Sequence, residues 1–352
     1  MKSIFLKGLL FFGLILNAQN DKKFAITLSG FVETYYAYDF NSSGSESKLP
    51  FMYNYNRHNE VNLNLGLLRA KVDYDNTYAS IAFHSGTYVD DNYANEKIKY
   101  INEAFIGLYL DNLKKHSIEV GIMPSYIGFE SAATATNLTL TRSILAENSP
   151  YFMTGIKYNN TLSERLNFSI FITNGWQRIS RADNKQTPSI GTQLVYTTAN
   201  NSLFNWSTFV GEEFNGIDFS PRYFSNLYWD KKWDSRWRTI VGFDFGLQNK
   251  SQVGNSTKLW YSPVVISQYT ISPKWQTAFR AEYYQDKHNV LIATLDEFKT
   301  VGFSMNLDYL LNDKTKFRTE LRHFSSENNL FTTSTMNTTS NLFFTSSLCF
   351  EF

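Results

Sequence analysis

The chain has 352 residues, a formal net charge of +1, 17% aromatic residues and a single cysteine, with a mean hydropathy of −0.32. Balanced charge excludes a global field that would draw nucleic acid, and one cysteine excludes an internal disulfide framework or a multi-cysteine metal centre. After residue 18 no run approaches the ~18 consecutive apolar residues of a spanning helix.

Lys2 and Lys7 precede an apolar stretch from Gly8 to Leu16, and Asn17-Ala18-Gln19 closes it with a small residue. This order predicts a cleavable secretory signal over residues 1–18, too short to span a bilayer, with a buried N-terminal helix as the alternative. Residues 19–352 then read as one domain, because no Pro-rich or Gly/Ser-rich linker and no long charge run interrupts them. An exported chain that is polar on average yet rich in Tyr and Phe fits a transmembrane barrel, in which only every second residue meets lipid.

Along the chain, apolar and polar residues alternate as half-buried strands do. Ile26, Leu28, Val32, Tyr36 and Tyr38 oppose Thr27, Ser29, Glu33 and Asp39. Val61, Leu63, Leu65 and Leu67 share a phase that slips by one at Leu68, Ala70, Val72 and Tyr74, which predicts a β-bulge near Leu67. Val241 to Gln248, Trp275 to Tyr283 and Phe303 to Leu311 repeat the rhythm. The last segment puts Leu342, Phe344, Leu348, Phe350 and Phe352 on one face, against Phe343, Thr345, Ser347, Cys349 and Glu351. A soluble edge strand of this kind would aggregate, whereas in a barrel it closes the sheet. A C-terminal Phe on such a strand also looks like the signal read by the barrel-insertion machinery.

Tight turns are expected at 75–77, 111–114, 159–161, 199–201, 230–232, 271–273 and 311–314. Longer loops are expected near 41–57, 88–97, 129–150, 176–187, 212–220, 249–257, 286–297 and 325–339. Their alternation predicts an all-β fold: a transmembrane antiparallel up-and-down β-barrel with short periplasmic turns and longer extracellular loops. It would have about sixteen strands, fourteen and eighteen being the neighbouring solutions. Tyr74, Tyr158, Tyr196, Trp229, Trp237, Trp275 and Tyr309 beside the turns would form an aromatic girdle, with Tyr38, Tyr223 and Tyr283 at the other rim.

The middle of the chain carries a pattern: Gly121-Ile122-Met123-Pro124-Ser125-Tyr126-Ile127-Gly128-Phe129-Glu130, then Asn137, Thr141-Arg142-Ser143 and Pro150-Tyr151-Phe152-Met153-Thr154-Gly155. It resembles the β-barrel porin type 2 (OmpL-like) family, with the specific residues confined to about 103–175. Tyr151-Phe152 stand where that pattern leads one to expect a histidine before the Gly. The resemblance implies an outer-membrane pore and carries over no catalytic residue.

In a barrel of this size the interior admits an aqueous channel. Inward positions that would line it include Glu33, Glu103, Arg238, Asp244, Arg280, Glu282, Asp308, Arg318, Glu320 and Arg322. Opposed rows of Arg and carboxylate would set a transverse field that filters solutes; alternatively the same charges pair and hold the wall. The longest loop, 129–150, is unusually rich in Ala, Leu and Ile, which suggests a short helix lying against something. It would fold into the lumen and bring Glu130, Asn137 and Arg142 to a constriction; an extracellular cap or a subunit contact is the alternative. The five histidines show no metal-ligand spacing and no Gly-x-Ser-x-Gly elbow occurs, so no metal, cofactor or catalytic group is expected. The expected function is passive diffusion of small hydrophilic solutes across the outer membrane. A non-conducting adhesion or binding barrel is the alternative, and a barrel-embedded hydrolase a weaker one. Expected partners are outer-membrane lipid and lipopolysaccharide, the assembly machinery, the solutes themselves and a second copy of the chain in a homo-oligomer, with no nucleic acid.

Overall fold

The computed structural model describes residues 24–41, 49–183, 185, 187–200, 202–215, 218–249 and 257–352; the expected signal, 1–18, lies outside them. The first eight strands are β1 (Phe24–Asp39), β2 (Val61–Tyr74), β3 (Thr77–Ser85), β4 (Ile101–Tyr109), β5 (His116–Pro124), β6 (Phe152–Ser163), β7 (Leu166–Thr173) and β8 (Ser189–Thr197). They are followed by β9 (Leu203–Phe214), β10 (Phe219–Lys232), β11 (Trp237–Asn249), β12 (Thr257–Ser272), β13 (Trp275–Asp286), β14 (Phe298–Leu310) and β15 (Thr315–Ser326). A small hairpin, β16 (Phe331–Thr332) with β17 (Asn337–Thr338), precedes the last strand, β18 (Ser340–Glu351). Sixteen of these strands form one closed antiparallel barrel, sealed where β1 pairs with β18.

Closure answers the problem that sheet edges pose in lipid, where an unpaired backbone group has no water to bond. Val32 pairs with Phe350 and Tyr38 with Phe344, and the Phe352 amide reaches the Gly30 carbonyl at 3.0 Å. Seven short turns at one end alternate with eight connections at the other, the first set periplasmic in barrels of this type. Three details differ from the expected pattern. The turn placed at 159–161 falls at 164–165, because β6 runs to Ser163, and the one placed at 230–232 falls at 233–236. Residues 212–220 hold no long loop, since β9 and β10 continue to a link closed by the Asn215 amide on the Asp218 carbonyl at 3.0 Å.

The outer face is apolar, and Phe279, Phe303, Met305 and Leu348 are about half exposed to what would be lipid. At the turn end Trp275 and Tyr309 pair at 4.7 Å, and Trp237 and Tyr269 at 5.4 Å, as an interfacial girdle requires. The bulge lies at Asn64 rather than Leu67: Glu33 faces Leu65 while Thr34 faces Leu63. Leu65 and Leu67 consequently turn inward and are buried. The inner face is also less polar than alternation implies. Phe171, Phe209, Phe224, Trp260, Tyr284, Phe298, Phe324 and Phe343 all point into the lumen and pack with loop residues such as Phe51, Tyr126 and Ile144.

Phe279→Arg, at mid-height on β13, should destabilise the barrel by ~2–4 kcal/mol. Urea titration in phospholipid vesicles measures this; a loss below ~1 kcal/mol would place Phe279 away from the hydrocarbon.

Candidate functional site

The connection between β5 and β6 does not leave the barrel. It contains a 3-10 turn, Thr134–Thr136, and a one-turn helix, Ile144–Glu147, N-capped by Ser143. Leu138, Leu140, Ile144 and Leu145 are fully buried, worth ~1.5–3 kcal/mol for each such side chain. A second short helix, Thr87–Asn92, enters from the β3–β4 connection with Tyr88 and Val89 buried.

An irregular segment inside a barrel must find partners for its backbone. On one side the wall of β12 to β15 supplies them. The amides of Leu140, Thr141 and Ile144 donate to Asn306 Oδ1 (2.9 Å), Glu320 Oε2 (2.6 Å) and Glu282 Oε2 (2.7 Å). The carbonyls of Thr134, Asn137 and Thr141 accept from Arg318 (2.7 and 3.0 Å) and Arg280 (2.6 Å). The Arg142 carbonyl accepts from Arg322 at 2.7 Å, Ala135 from Lys316 at 2.6 Å and Leu138 from Gln268 at 3.2 Å. On the other side the Tyr126 hydroxyl donates to the Thr208 carbonyl at 2.7 Å, and the Gly128 amide donates to Asn226 at 3.2 Å. Tyr126 stacks on Phe171 at 3.8 Å. Two glycines on the wall admit the loop's rings: a Cβ on Gly191 would lie 1.8 Å from the Tyr126 hydroxyl, and one on Gly242 2.5 Å from the Phe129 ring. The loop therefore crosses the lumen from wall to wall.

The ten inward positions anticipated from alternation fall into separate groups. Arg280, Glu282, Asp308, Arg318, Glu320 and Arg322 come together as a buried patch on three adjacent strands. Arg280 meets Glu320 at 2.5 Å and Glu282 at 3.3 Å, Arg318 meets Asp308 at 2.9 Å, and Arg322 pairs with Glu282. They are neighbours on one wall, so they neutralise one another and grip the loop instead of setting a field across open water. Glu103 pairs with Arg69 at 2.8 Å on another wall. Asp244 is buried against Asn226 at 2.5 Å. Arg238 stands apart near the turn end with Asp230 at 2.6 Å. Glu33 lies at the seam, fully buried, and accepts from Tyr55 (2.7 Å), Asn64 (3.1 Å), Thr134 (2.8 Å) and Ser347 (2.9 Å).

Of the three loop residues anticipated at a constriction, Glu130 binds the Ser143 amide at 3.0 Å and its hydroxyl, 4.0 Å from Arg280. Burial pushes its carboxyl above the ordinary range, opposed by Arg280 and Ser143. Asn137 closes a local turn on Ser131 at 2.8 and 2.9 Å. Arg142 stacks on Tyr151, 3.6 Å from the ring centre. The first loop lies over this assembly: the Tyr53 amide and Asn54 side chain donate to Glu147 at 2.8 and 2.9 Å, and Phe51 packs on Phe298 at 5.0 Å. Cavities remain within the barrel. An inner one of 410 Å³ lies between the loop and the β2–β4 wall, and an outer one of 360 Å³ lies by Trp176, Arg178 and Arg222. Residues 147–152 run between them, with Tyr151 on the inner side and Phe152, stacked on Tyr93 at 4.2 Å, on the outer.

A closed sixteen-stranded barrel whose lumen is crossed by the loop after its fifth strand is the architecture of a porin. The chain belongs to the beta-barrel porin-2, OmpL-like family, whose model matches residues 25–352, and it is an integral outer-membrane channel protein of porin type. Among solved structures it is similar to the outer membrane channel DcaP of Acinetobacter baumannii (12% identity, 94% of this chain, 97% of that one, TM-score 0.65). It is likewise similar to an anion-selective porin from Comamonas acidovorans (10%, 94% and 100%, 0.61) and to Salmonella typhi OmpF in complex with daunomycin (12%, 93% and 97%, 0.63). No curated protein matches the chain.

Arg280→Met removes the guanidinium that holds both Glu320 and the Thr141 carbonyl. It should cost ~3–5 kcal/mol, as breaking a buried pair does, and make the loop cleavable by trypsin after Arg142. A resistant loop with an unmoved urea midpoint would mean that this wall does not retain it.

Proposed function

We propose that the barrel passes small hydrophilic solutes by passive diffusion, and that residues 125–151 form its constriction. The observation that carries this reading is the loop's span from Thr208 and Asn226 on one wall to Glu282 and Glu320 on the other, with a cavity on each side of residues 147–152. A solute entering from the outer cavity meets Trp176, Arg178 and Arg222 first and leaves through the inner cavity past Arg69. Glu130 and Arg142 sit within the loop, so they shape the constriction from its own side. The inward patch from Arg280 to Arg322 acts as the loop's anchor, and of the ten positions anticipated from alternation only Arg238, near the turn end, is partly open. Channel action rather than catalysis is part of this reading. So is a homo-oligomer, since one similar porin, OmpT of Vibrio cholerae (8% identity, TM-score 0.61), is described in a trimer form. Outer-membrane lipid and lipopolysaccharide would contact the apolar band.

One observation favours a second reading, a closed barrel that binds at its surface: the aromatic lumen wall is largely covered by the first and third loops. Planar-bilayer recording separates the two. The intact barrel should give small, steady openings, and deletion of residues 131–147 should raise single-channel conductance several-fold. A silent intact barrel with a conducting deletion would support the closed barrel, and equal conductance would remove the loop from the path.

A further inference from the structure

Arg222, on the inner face of β10, is only 5% exposed, and no carboxylate among the described residues lies within ion-pair distance of it. Its Nε and Nη2 donate to the one oxygen of Gln248, at 2.9 and 2.7 Å. Its guanidinium carbon lies 5.1 and 5.7 Å from the ring centres of Trp176 and Trp260. Nη1 makes no hydrogen bond, and it is not sealed off as the free nitrogens of Arg142 are; Arg222 borders the outer cavity of 360 Å³. A largely buried cation with unmatched N–H groups is costly. Arg178, half-buried on the same cavity, also has no acceptor among the described residues, and the two guanidiniums repel one another.

Three carboxylates border the cavity as well. Glu147 spends both oxygens on the Tyr53 amide, the Asn54 side chain and the Tyr151 hydroxyl. Glu213 takes the Trp176 amide and Lys185 with Oε1, at 2.7 and 3.3 Å, and its Oε2 stays open. Glu96 takes the Ile179 amide with Oε1 at 3.0 Å, and its Oε2 also stays open. Glu213 faces Ser220 and Arg222 faces Gly211 across β9 and β10, so Glu213 and Arg222 are diagonal neighbours, about 7–8 Å apart at the backbone. They do not bond each other, and the cavity opens beside both. A plain anion there would meet Arg222 and Arg178 favourably but Glu213 and Glu96 unfavourably, and a plain cation the reverse. A neutral solute that carries both charges close together suits all four.

We infer that the outer cavity binds a small zwitterion of the α-amino acid class. Its carboxylate takes the open N–H groups of Arg222 and Arg178, a charge-assisted arrangement that guanidinium suits. Its ammonium takes the open oxygen of Glu213, and its side chain rests against Val290 and Leu291, which also line the cavity. Space is sufficient, since a cavity of about 150 Å³ already accepts benzene. The site rests on the channel reading and deepens it, as a halting point at the entrance, while its binding is measurable without conduction.

Isothermal titration of the refolded barrel in detergent at pH 7 tests this with three probes: L-leucine, its amide, which lacks the carboxylate, and N-acetyl-L-leucine, which lacks the ammonium. Leucine should bind saturably, and each of the other two should bind about tenfold more weakly or worse. Arg222→Gln should weaken leucine by about tenfold. Arg178→Gln, at a half-buried loop position, should weaken it several-fold and carries the test if the first variant fails to fold. Absence of saturable leucine binding, or unchanged affinity in Arg178→Gln, overturns the inference. Equal binding of N-acetyl-L-leucine would make the cavity a plain anion site and equal binding of the amide a plain cation site, and either result overturns it too. A conducting barrel that ignores leucine refutes the site alone; a silent barrel that binds it refutes the channel reading and leaves the site standing.

Discussion

The structure depends on one requirement: a stretch of chain without regular secondary structure lies inside a closed sheet, and its peptide groups must be bonded there. The barrel wall meets that need with side chains. Arginines on β13 and β15 serve the carbonyls of the β5–β6 connection, and Glu282, Glu320 and Asn306 serve its amides. The charges of β13 to β15 that appear in sequence as a lumen lining are, in space, a complementary surface for one peptide segment. Their mutual pairing matters for the same reason, because an isolated buried charge is far more costly than a matched one.

The aromatic residues of the lumen complete the arrangement. Hydrogen bonds fix the register of the loop, but they contribute little net stability because water offered the same bonds in the unfolded chain. The favourable burial comes from Leu138, Leu140, Ile144 and Leu145 in the loop, and from Phe51 and Met52 above it, against the inward rings. The barrel thus has an apolar outside for lipid and a second, enclosed apolar region that holds its own contents. The paths left for solute are the places this packing does not fill.

Strand number and closure were legible because lipid imposes strict alternation on segments such as Trp275 to Tyr283 and Leu342 to Phe352. Turn positions were legible to within a few residues, and slipped where polar residues such as Asn159 and Asn160 continue a strand. The inward Leu65 and Leu67 were misread because one extra residue, Asn64, shifts the phase before them. Inward aromatics were invisible for a deeper reason. A Phe between two polar residues reads the same whether its neighbour is a lipid chain or a folded loop, and only tertiary structure separates these. The loop's odd composition did point to burial, but its partners lie up to 184 residues away in sequence, and no local signal names them. Gly191 and Gly242 could have hinted at close approach, though not at which ring approaches.

Glu33 ties together parts of the chain that are made at very different times. It receives Tyr55 from the first loop, Thr134 from the loop that crosses the lumen, and Ser347 from the final strand. During biogenesis this carboxylate has its full set of bonds only after the seam between the first and last strands has zipped up. An unsealed intermediate would hold its interior loosely, and the act of sealing would lock the contents in place, so the finished channel carries a built-in record that its own assembly is complete.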